Sequence, residues 1–279
     1  MNINSDGFRG TEIGINNQNN YRIFFTGGST AFGFGSTSDK TTIPGFLQEY
    51  FDNGFKDLNI EVINAGINGA DSYREILLIK EKLINYEPDL IISYTGVNDS
   101  GGYSREIIFD ETYDEYVQNP FKFSSYPWYR TPFVISNVIT QNDIGNEIKP
   151  ETLSDEQIKI YSESFRKNWS QSCDFLKEHN ITSALILQPS LITKKILSDF
   201  EKQIEPETKY RKQLLENYAK EFELLDKKCD HVFDLRDVMG DTSETTYYDN
   251  VHMNDFGNKI IAEKIYKKIL PTILENTLD

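Results

Sequence analysis

Residues 21–30 read Tyr-Arg-Ile-Phe-Phe-Thr-Gly-Gly-Ser-Thr, an apolar stretch that stops at two glycines and then presents the hydroxyl of Ser29. The apolar part has the length of one buried strand. The glycines allow backbone angles that a side chain forbids, and they leave room for a substrate carbonyl beside Ser29. The segment predicts a strand that ends in a turn displaying a nucleophile, although the same Gly-Gly-Ser-Thr turn also occurs in plain loops.

Similar apolar runs recur along the chain and predict five strands, over residues 21–26, 60–64, 89–95, 182–188 and 231–235. Between and after them lie segments with the apolar spacing of helices, residues 42–53, 73–86, 154–178, 207–227 and 255–275, and Pro88 is expected to stop the second of these. Alternating strands and helices predict an α/β fold with a mostly parallel sheet covered on both faces. We expect a single domain over residues 1–279.

The composition of the chain argues against several kinds of binding partner and bound group. The 279 residues carry 29 basic and 44 acidic side chains, a net charge of -15 that disfavours nucleic acid and anionic lipid. We find no apolar run long enough to span a bilayer and no signal peptide, which predicts a soluble, cytoplasmic protein. Cys173 and Cys229 form no Cys-x-x-Cys pair or disulfide framework and are interpreted as buried small hydrophobes. No metal site and no cofactor are expected.

Residues 100–150 interrupt the alternation with a stretch rich in aromatic side chains, among them Trp128 and Tyr129. One interpretation is an insertion that forms a lid or wall, whose rings stack on a sugar or an acyl chain. The other is a small additional core or a contact between subunits. The sequence leaves the oligomeric state open.

Three polar, glycine-bearing turns follow the first three predicted strands. They contain Ser29, the segment Asn-Ala-Gly-Ile-Asn-Gly69 and the segment Gly-Val-Asn98-Asp. In open parallel sheets, ligands bind at the carboxyl ends of the strands, where these turns are expected to meet. The amides of Ser29 and Gly69 and the carboxamide of Asn98 are candidate donors to an oxyanion. Alternatively, Gly69 serves only its turn and Asn98 belongs to an ordinary Asx turn.

A base for Ser29 is found by elimination among three histidines. His179 ends a helix, where it can bond to carbonyls, and His231 opens a strand, so both suit structural roles. His252 lies in a loop before the last helix, three residues after Asp249, a spacing that can bring the carboxylate onto the imidazole. The alternative is a solvated loop in which Asp249 or Asn254 caps the helix.

Other glycine-rich motifs do not fit this chain. No Gly-Lys-Ser/Thr closes a phosphate-binding loop, and Gly33-Phe-Gly35 lacks the third glycine of a dinucleotide fingerprint. Ala31 stands where an α/β-hydrolase elbow has its last glycine.

Together the turns around Ser29, Gly69, Asn98 and His252 resemble the four blocks of the SGNH, or GDSL-like, hydrolase family, in family order over about residues 21–265. The resemblance implies a flavodoxin-like, three-layer α/β/α fold with a five-stranded parallel sheet, and serine esterase, lipase or acyltransferase chemistry. It makes Ser29 the nucleophile, His252 the base and Asp249 the residue that orients it. The amides of Ser29 and Gly69 and the side chain of Asn98 then form the oxyanion hole.

The chain departs from the family pattern at two positions, because Gly28 stands in place of the aspartate before the serine and Thr30 in place of a leucine. Subgroups that look similar carry Gly-Gly-Ser-Thr. Residues 4–10 also resemble a leader found in bacterial members, some of which are envelope proteins, and this gives the cell envelope as an alternative location.

We therefore expect a serine ester hydrolase that removes a short acyl group, such as acetyl from a carbohydrate, through an acyl-Ser29 intermediate. Gln188, at the end of the fourth strand, is expected either to bond a sugar or to be a satisfied strand-end amide. Acyl transfer to a sugar, a lipase or thioesterase acting on longer chains, and a catalytically silent carbohydrate-binding module are the alternatives.

Overall fold

The computed structural model describes residues 1–14, 20–55, 58–102 and 153–278. Its sheet has five parallel strands in the order β2-β1-β3-β4-β5. These are β1 (Asn20–Gly27), β2 (Asn59–Asn64), β3 (Leu90–Thr95), β4 (Thr182–Leu187) and β5 (His231–Asp234). All five predicted strands are confirmed, with ends that differ by no more than one residue.

The helices of the described ranges are α1 (Ser29–Phe32), α2 (Ile43–Gly54), α3 (Ser72–Glu81), α4 (Val97–Gly102), α5 (Asp155–Glu178), α6 (Lys209–Glu223) and α7 (Asp255–Leu278). The helix predicted to end at Pro88 already ends at Glu81. Lys82 leaves helical geometry with φ -124° and ψ -54°, and a separate 3-10 turn at Leu83–Tyr86 buries Leu83. None of these helices is both long and apolar enough to cross a membrane.

Side chains of β1 alternate between two cores because successive residues of a strand point to opposite faces. Phe24 packs with apolar residues of α3, α5 and α6, whereas Ile23 and Phe25 pack with those of α2 and α7. The sheet is therefore covered on both faces. The predicted three-layer α/β/α fold is confirmed, and its strand order is the flavodoxin-like one.

The interpretation of the cysteines as unpaired hydrophobes is wrong, because Cys173 and Cys229 form a disulfide with their Cα atoms 5.1 Å apart. The bond joins α5 to the segment just before β5. Both residues are buried, as expected, at 1% and 5% exposure. Their separation of 56 residues is closed by the packing of the helical layer, which no local sequence pattern records.

The predicted insertion lies almost entirely outside the described residues. Residues 103–152 belong to this part of the chain, and they include Trp128 and Tyr129. The lid or wall, and the single-domain organisation over residues 1–279, stay predictions.

Candidate active site

Three side chains are joined by short hydrogen bonds at the carboxyl edge of the sheet. Ser29 Oγ lies 2.7 Å from His252 Nε2, and His252 Nδ1 lies 2.7 Å from Asp249 Oδ2. Ser29 opens α1 directly after β1, whereas Asp249 and His252 belong to the loop before α7. The structure thus brings together the serine, histidine and aspartate that the sequence singled out.

The loop that carries His252 is held by its own hydrogen bonds. Asp249 Oδ1 accepts from the backbone amides of Val251 at 2.8 Å and of His252 at 2.7 Å, so both oxygens of this carboxylate hold the histidine region. The Tyr248 amide donates to the His252 carbonyl at 2.8 Å. The cap of α7 is instead supplied by Asn254, whose Oδ1 accepts from the Gly257 amide at 2.9 Å.

The Asp249 carboxylate is stabilised in its charged form. Partial burial would raise its pKa, but the hydrogen bonds from the His252 ring and from the amides of His252 and Val251 outweigh burial and lower the pKa to about 2. Asp249 is thus an anion over the neutral range, and it fixes the imidazole tautomer that carries its proton on Nδ1.

Backbone and side-chain donors converge on the same edge from three turns. Ser29 follows β1, Gly69 follows β2 with φ 77°, and Asn98 lies in the first turn of α4, after β3. Among the described residues, the amides of Ser29 and Gly69 donate to no acceptor. Asn98 Nδ2 gives one hydrogen to the Ala70 carbonyl at 2.7 Å, and its second hydrogen has no acceptor in the described ranges.

Gly28, which stands where the family pattern has an aspartate, lies directly beside Asn98. A Cβ atom at this position would lie 2.1 Å from Asn98 Nδ2 and 3.3 Å from the Ala70 carbonyl oxygen. The backbone of Gly28, with φ -79°, is open to any residue, so the constraint is the close approach of Asn98. Glycine here is what allows the Asn98 carboxamide to reach the turn of Ser29.

Thr30 replaces the family leucine with a polar contact. Its Oγ1 donates to Gln188 Oε1 at 3.1 Å, and both side chains are buried. Gln188 follows β4, and β3 lies between β1 and β4 in the sheet. The bond therefore connects the turn after β1 to the end of β4. Gln188 is 4% exposed, which fits the satisfied strand-end amide better than a sugar contact, and its role toward a substrate stays a prediction.

A buried ion pair supports the segment that leads into the His252 loop, and sequence reasoning missed it. Lys194 Nζ donates to both oxygens of Glu201, at 2.9 and 2.6 Å, and neither side chain is exposed. Glu201 Oε1 also accepts from the amides of Thr246 at 2.9 Å and Tyr247 at 3.1 Å. The pair therefore fixes the backbone two residues before Asp249.

Phe34 is a second residue that the sequence did not single out. Its ring lies on the His252 imidazole with centroids 4.6 Å apart, yet the residue is 55% exposed. An exposed ring in contact with the base places an apolar surface at the entrance to Ser29.

The two remaining histidines lie apart from this cluster. His179 Nδ1 bonds to the Phe175 carbonyl at 2.8 Å at the end of α5, as predicted. His231 opens β5, and its Nε2 lies 2.8 Å from Thr272 Oγ1.

Solved structures with a similar fold include several esterases. The chain resembles the acetyl xylan esterase AlAXEase at a TM-score of 0.50 and 18% identity, covering 89% of this chain and 99% of that one. A variant of the acetyl xylan esterase Axe2 from Geobacillus stearothermophilus gives a TM-score of 0.55 and 13% identity, covering 89% and 94%. The esterase EstA from Pseudoalteromonas sp. gives 0.51 and 15%, covering 90% and 98%. At these identities the likeness concerns the fold.

Sequence comparison identifies the family. No curated protein matches the chain. The profile of the GDSL-like Lipase/Acylhydrolase family, however, matches residues 25–260, which is most of the sequence. This match confirms the family that the sequence predicted and, with it, a serine esterase. The chain belongs to the GDSL-like lipase/acylhydrolase family.

Proposed function

We propose that this protein hydrolyses short-chain acyl esters of carbohydrates, with Ser29 as nucleophile, His252 as base and Asp249 as its partner. The observation that carries the proposal is the 2.7 Å contact between Ser29 Oγ and His252 Nε2, continued by the 2.7 Å contact from His252 Nδ1 to Asp249. A nucleophile within hydrogen-bond reach of a base, which is itself oriented by a carboxylate, is the arrangement that activates a serine.

In the first half-reaction, Ser29 Oγ attacks the ester carbonyl carbon while its proton passes to His252 Nε2. The charged Asp249 stabilises the imidazolium that forms. As the tetrahedral intermediate collapses, the C–O bond to the alcohol breaks and Nε2 returns the proton to that alcohol oxygen. An acyl-Ser29 ester and a free sugar hydroxyl result.

In the second half-reaction, water gives a proton to His252 Nε2 and attacks the acyl carbon. Collapse breaks the bond to Ser29 Oγ, which takes the proton back, and the carboxylic acid leaves. In the tetrahedral intermediate of each half-reaction, negative charge develops on the former carbonyl oxygen. The amides of Ser29 and Gly69 and the second hydrogen of Asn98 Nδ2 are the donors we assign to it.

The preference for a short acyl group on a sugar is supported by two observations. Phe34 offers an exposed ring beside His252, a surface suited to the apolar face of a pyranose. Similarly folded proteins at TM-scores of 0.50 and above include acetyl xylan esterases.

The test compares p-nitrophenyl acetate hydrolysis by the wild type, Ser29→Ala and His252→Ala. We expect each variant to lose about 10³- to 10⁶-fold in kcat while its unfolding free energy stays within about 1 kcal/mol of the wild type. His179→Ala is the matched control and should keep wild-type kcat, because its imidazole caps α5. Equal rates for wild type and Ser29→Ala would remove the hydrolase proposal.

Substrate class is tested next, with p-nitrophenyl esters of increasing chain length and with acetylated xylo-oligosaccharides. We expect activity to fall beyond butyrate and acetate to be released from the oligosaccharides. A rising rate with chain length would instead favour a lipase. Detection of the acetylated form of an added sugar acceptor would favour acyl transfer over hydrolysis.

For location, the disulfide supports the cell envelope over the cytoplasm, because buried disulfides persist mainly in oxidising compartments. When cells are quenched with acid and treated with an alkylating reagent, Cys173 and Cys229 should not react, because they are joined in the disulfide. Two alkylated thiols in the native source would return the proposal to the cytoplasm.

A further inference from the structure

Arg9 lies in the N-terminal segment and reaches the turn that follows the nucleophile. Its Nη1 donates to the carbonyls of Phe32 at 3.0 Å and Gly33 at 2.7 Å, and its Nη2 donates to the carbonyl of Ser38 at 3.3 Å. Its Nε donates to Asp39 Oδ1 at 2.7 Å. Arg9 is 7% exposed, and four of the five N–H groups of its guanidinium donate hydrogen bonds.

Two of the carbonyls that Arg9 binds, those of Phe32 and Gly33, lie at the end of α1. The last carbonyls of a helix have no partner within it, and a cation there is electrostatically favourable. The same turn is bonded back to the nucleophile, because the Ser29 carbonyl accepts from the amides of Gly33 at 3.0 Å and Phe34 at 2.8 Å. Arg9 is thus one hydrogen-bonded turn away from the backbone of Ser29.

The turn also touches the base. Phe34 follows Gly33 directly, and its ring lies 4.6 Å from the ring of His252. A displacement of residues 32–34 would therefore move the backbone of Ser29 and the ring that packs on His252 at the same time. Arg9 holds this turn through its hydrogen bonds to the carbonyls of Phe32 and Gly33.

We propose that Arg9 is a positioning residue, which fixes the turn at Phe32–Phe34 and thereby sets the contact between Ser29 and His252. The part of this inference that concerns rates rests on the proposed function. A misplacement of reacting groups by about 1 Å can cost about 100-fold in rate, so a residue that touches no substrate can still control kcat.

A second buried arginine supplies the matched control. Arg22, 3% exposed, donates to Glu61 at 3.0 Å and to the carbonyls of Tyr86 and Gly14 at 2.7 Å each. Like Arg9, it binds one carboxylate and backbone carbonyls and holds the N-terminal segment. It lies, however, near the start of β1, at the opposite edge of the sheet from Ser29.

The experiment compares Arg9→Gln with Arg22→Gln at a temperature well below the Tm of both. Both variants should lose stability. We expect Arg9→Gln to lower kcat about 10- to 100-fold with KM nearly unchanged, and Arg22→Gln to keep kcat within about twofold. Arg9→Lys should recover little, because an ammonium cannot reproduce the fork that binds several acceptors. Equal kcat losses in the two glutamine variants would overturn the proposal.

A readout independent of catalysis follows from the three histidines of the chain. The imidazole NMR signals of His252 carry the ring-current shift of Phe34. They should move in Arg9→Gln, while those of His179 and His231 stay in place, and Arg22→Gln should move none of the three. Unchanged His252 signals in Arg9→Gln would overturn the positioning role.

Failure of the proposed function and failure of the Arg9 proposal can be told apart. If the wild type shows no Ser29-dependent hydrolysis, the proposed function fails while the NMR comparison still decides the role of Arg9. If Arg9→Gln does not fold, Asp39→Asn weakens the same anchor more mildly, since Asp39 accepts the Arg9 Nε hydrogen bond. It should then show the same loss of kcat and the same shift of His252, and the absence of both would reject the proposal.

Discussion

At the scale of single residues, Gly28 leaves the space that the side chain of Asn98 needs. The carboxamide of Asn98 occupies the space in which any other residue at position 28 would place its Cβ, 2.1 Å from Nδ2. The turn of Ser29 and the turn after β3 are therefore fitted to each other. A larger residue at position 28 is therefore expected to displace Asn98, which we propose as an oxyanion donor.

We expect Gly28→Ala to lower kcat about 10²- to 10³-fold, the usual effect of losing one oxyanion donor, because Asn98 must swing away. Gly28→Asp, which restores the family aspartate, should be at least as damaging. Gly101→Ala in α4 is the control, since its Cβ would meet nothing closer than 3.5 Å, and it should leave kcat unchanged. Steady-state kinetics of the three variants measure these effects. A wild-type kcat in Gly28→Ala would mean that the position of Asn98 does not affect the rate.

The sequence singled out Ser29, Asp249 and His252 because the position of Ser29 after a strand and the spacing of Asp249 and His252 are local features. It could not identify Arg9 or Phe34, since their partners lie on other elements. Arg9 is 23 residues from Phe32 in the chain, and an arginine among polar residues gives no sign that it will be buried.

At the scale of elements, the buried pair of Lys194 and Glu201 links the region after β4 to the loop before α7. Breaking a buried ion pair leaves one charge without its partner and costs about 3–5 kcal/mol. Glu201→Gln and Lys194→Met should each lose stability in this range, measured by urea unfolding. Both should also lower kcat, because Glu201 holds the amides of Thr246 and Tyr247.

The double variant Lys194→Met/Glu201→Gln should recover part of both losses. It removes both charges, while the Gln oxygen can still accept from the backbone amides. Lys202→Met, which breaks an exposed pair with Asp199, is the control and should change stability by less than about 1 kcal/mol. Additive losses in the double variant would contradict a coupled pair.

The strands and longer helices could be predicted because buried parallel strands read as apolar runs between turns, and helices of the outer layers show one apolar face. In α7, the predicted face is seen in Ile261, Ile265, Ile269 and Ile273, all fully buried. The end of α3 could not be predicted, since nothing near Lys82 is a helix breaker. The link from Glu201 to the loop before α7 could not be predicted either, because Thr246 lies 45 residues from Glu201.

At the scale of the whole molecule, the disulfide closes a loop with a sequence separation of 56 residues. The chain-entropy relation gives it roughly 4 kcal/mol of stabilisation. We expect Cys173→Ser/Cys229→Ser to lower Tm by about 10 °C while kcat at 25 °C is kept, because the bond precedes β5 and lies toward the amino edge of the sheet. Reduction of the wild type should have the same effect, and a Tm insensitive to reductant would contradict it.

Buried carboxyls make stability depend on pH in two directions. Burial and the nearby Asp71 raise the pKa of Asp99 to about 7, so its stabilising contribution is present below its unfolded pKa of 3.8 and is lost as pH rises toward 7. Burial would raise the pKa of Glu201, but the Lys194 bond and backbone amides lower it to about 2. Its contribution is present above pH 4.5 and is lost as pH falls toward 2.

The protein should therefore be more stable at pH 5 than at pH 8, and Asp99 alone should contribute a slope of up to about 1.4 kcal/mol per pH unit below pH 7. Urea unfolding across this range measures the slope. Asp99→Asn should flatten it, although part remains because burial also raises the pKa of Glu75 well above its ordinary value. Asp199→Asn, at an exposed carboxylate, should leave the slope unchanged. A flat wild-type profile would count against raised pKa values for the buried acids.

The sequence separation of 223 residues from Ser29 to His252 also sets an order of events during synthesis. The proposed nucleophile is synthesised with the first strand, whereas its proposed base follows the last strand. At about 5–20 residues per second, the ribosome adds the histidine roughly 10–45 s after the serine. Throughout that interval the growing chain holds an unactivated serine, so a nascent or prematurely terminated chain would be chemically silent toward cellular esters.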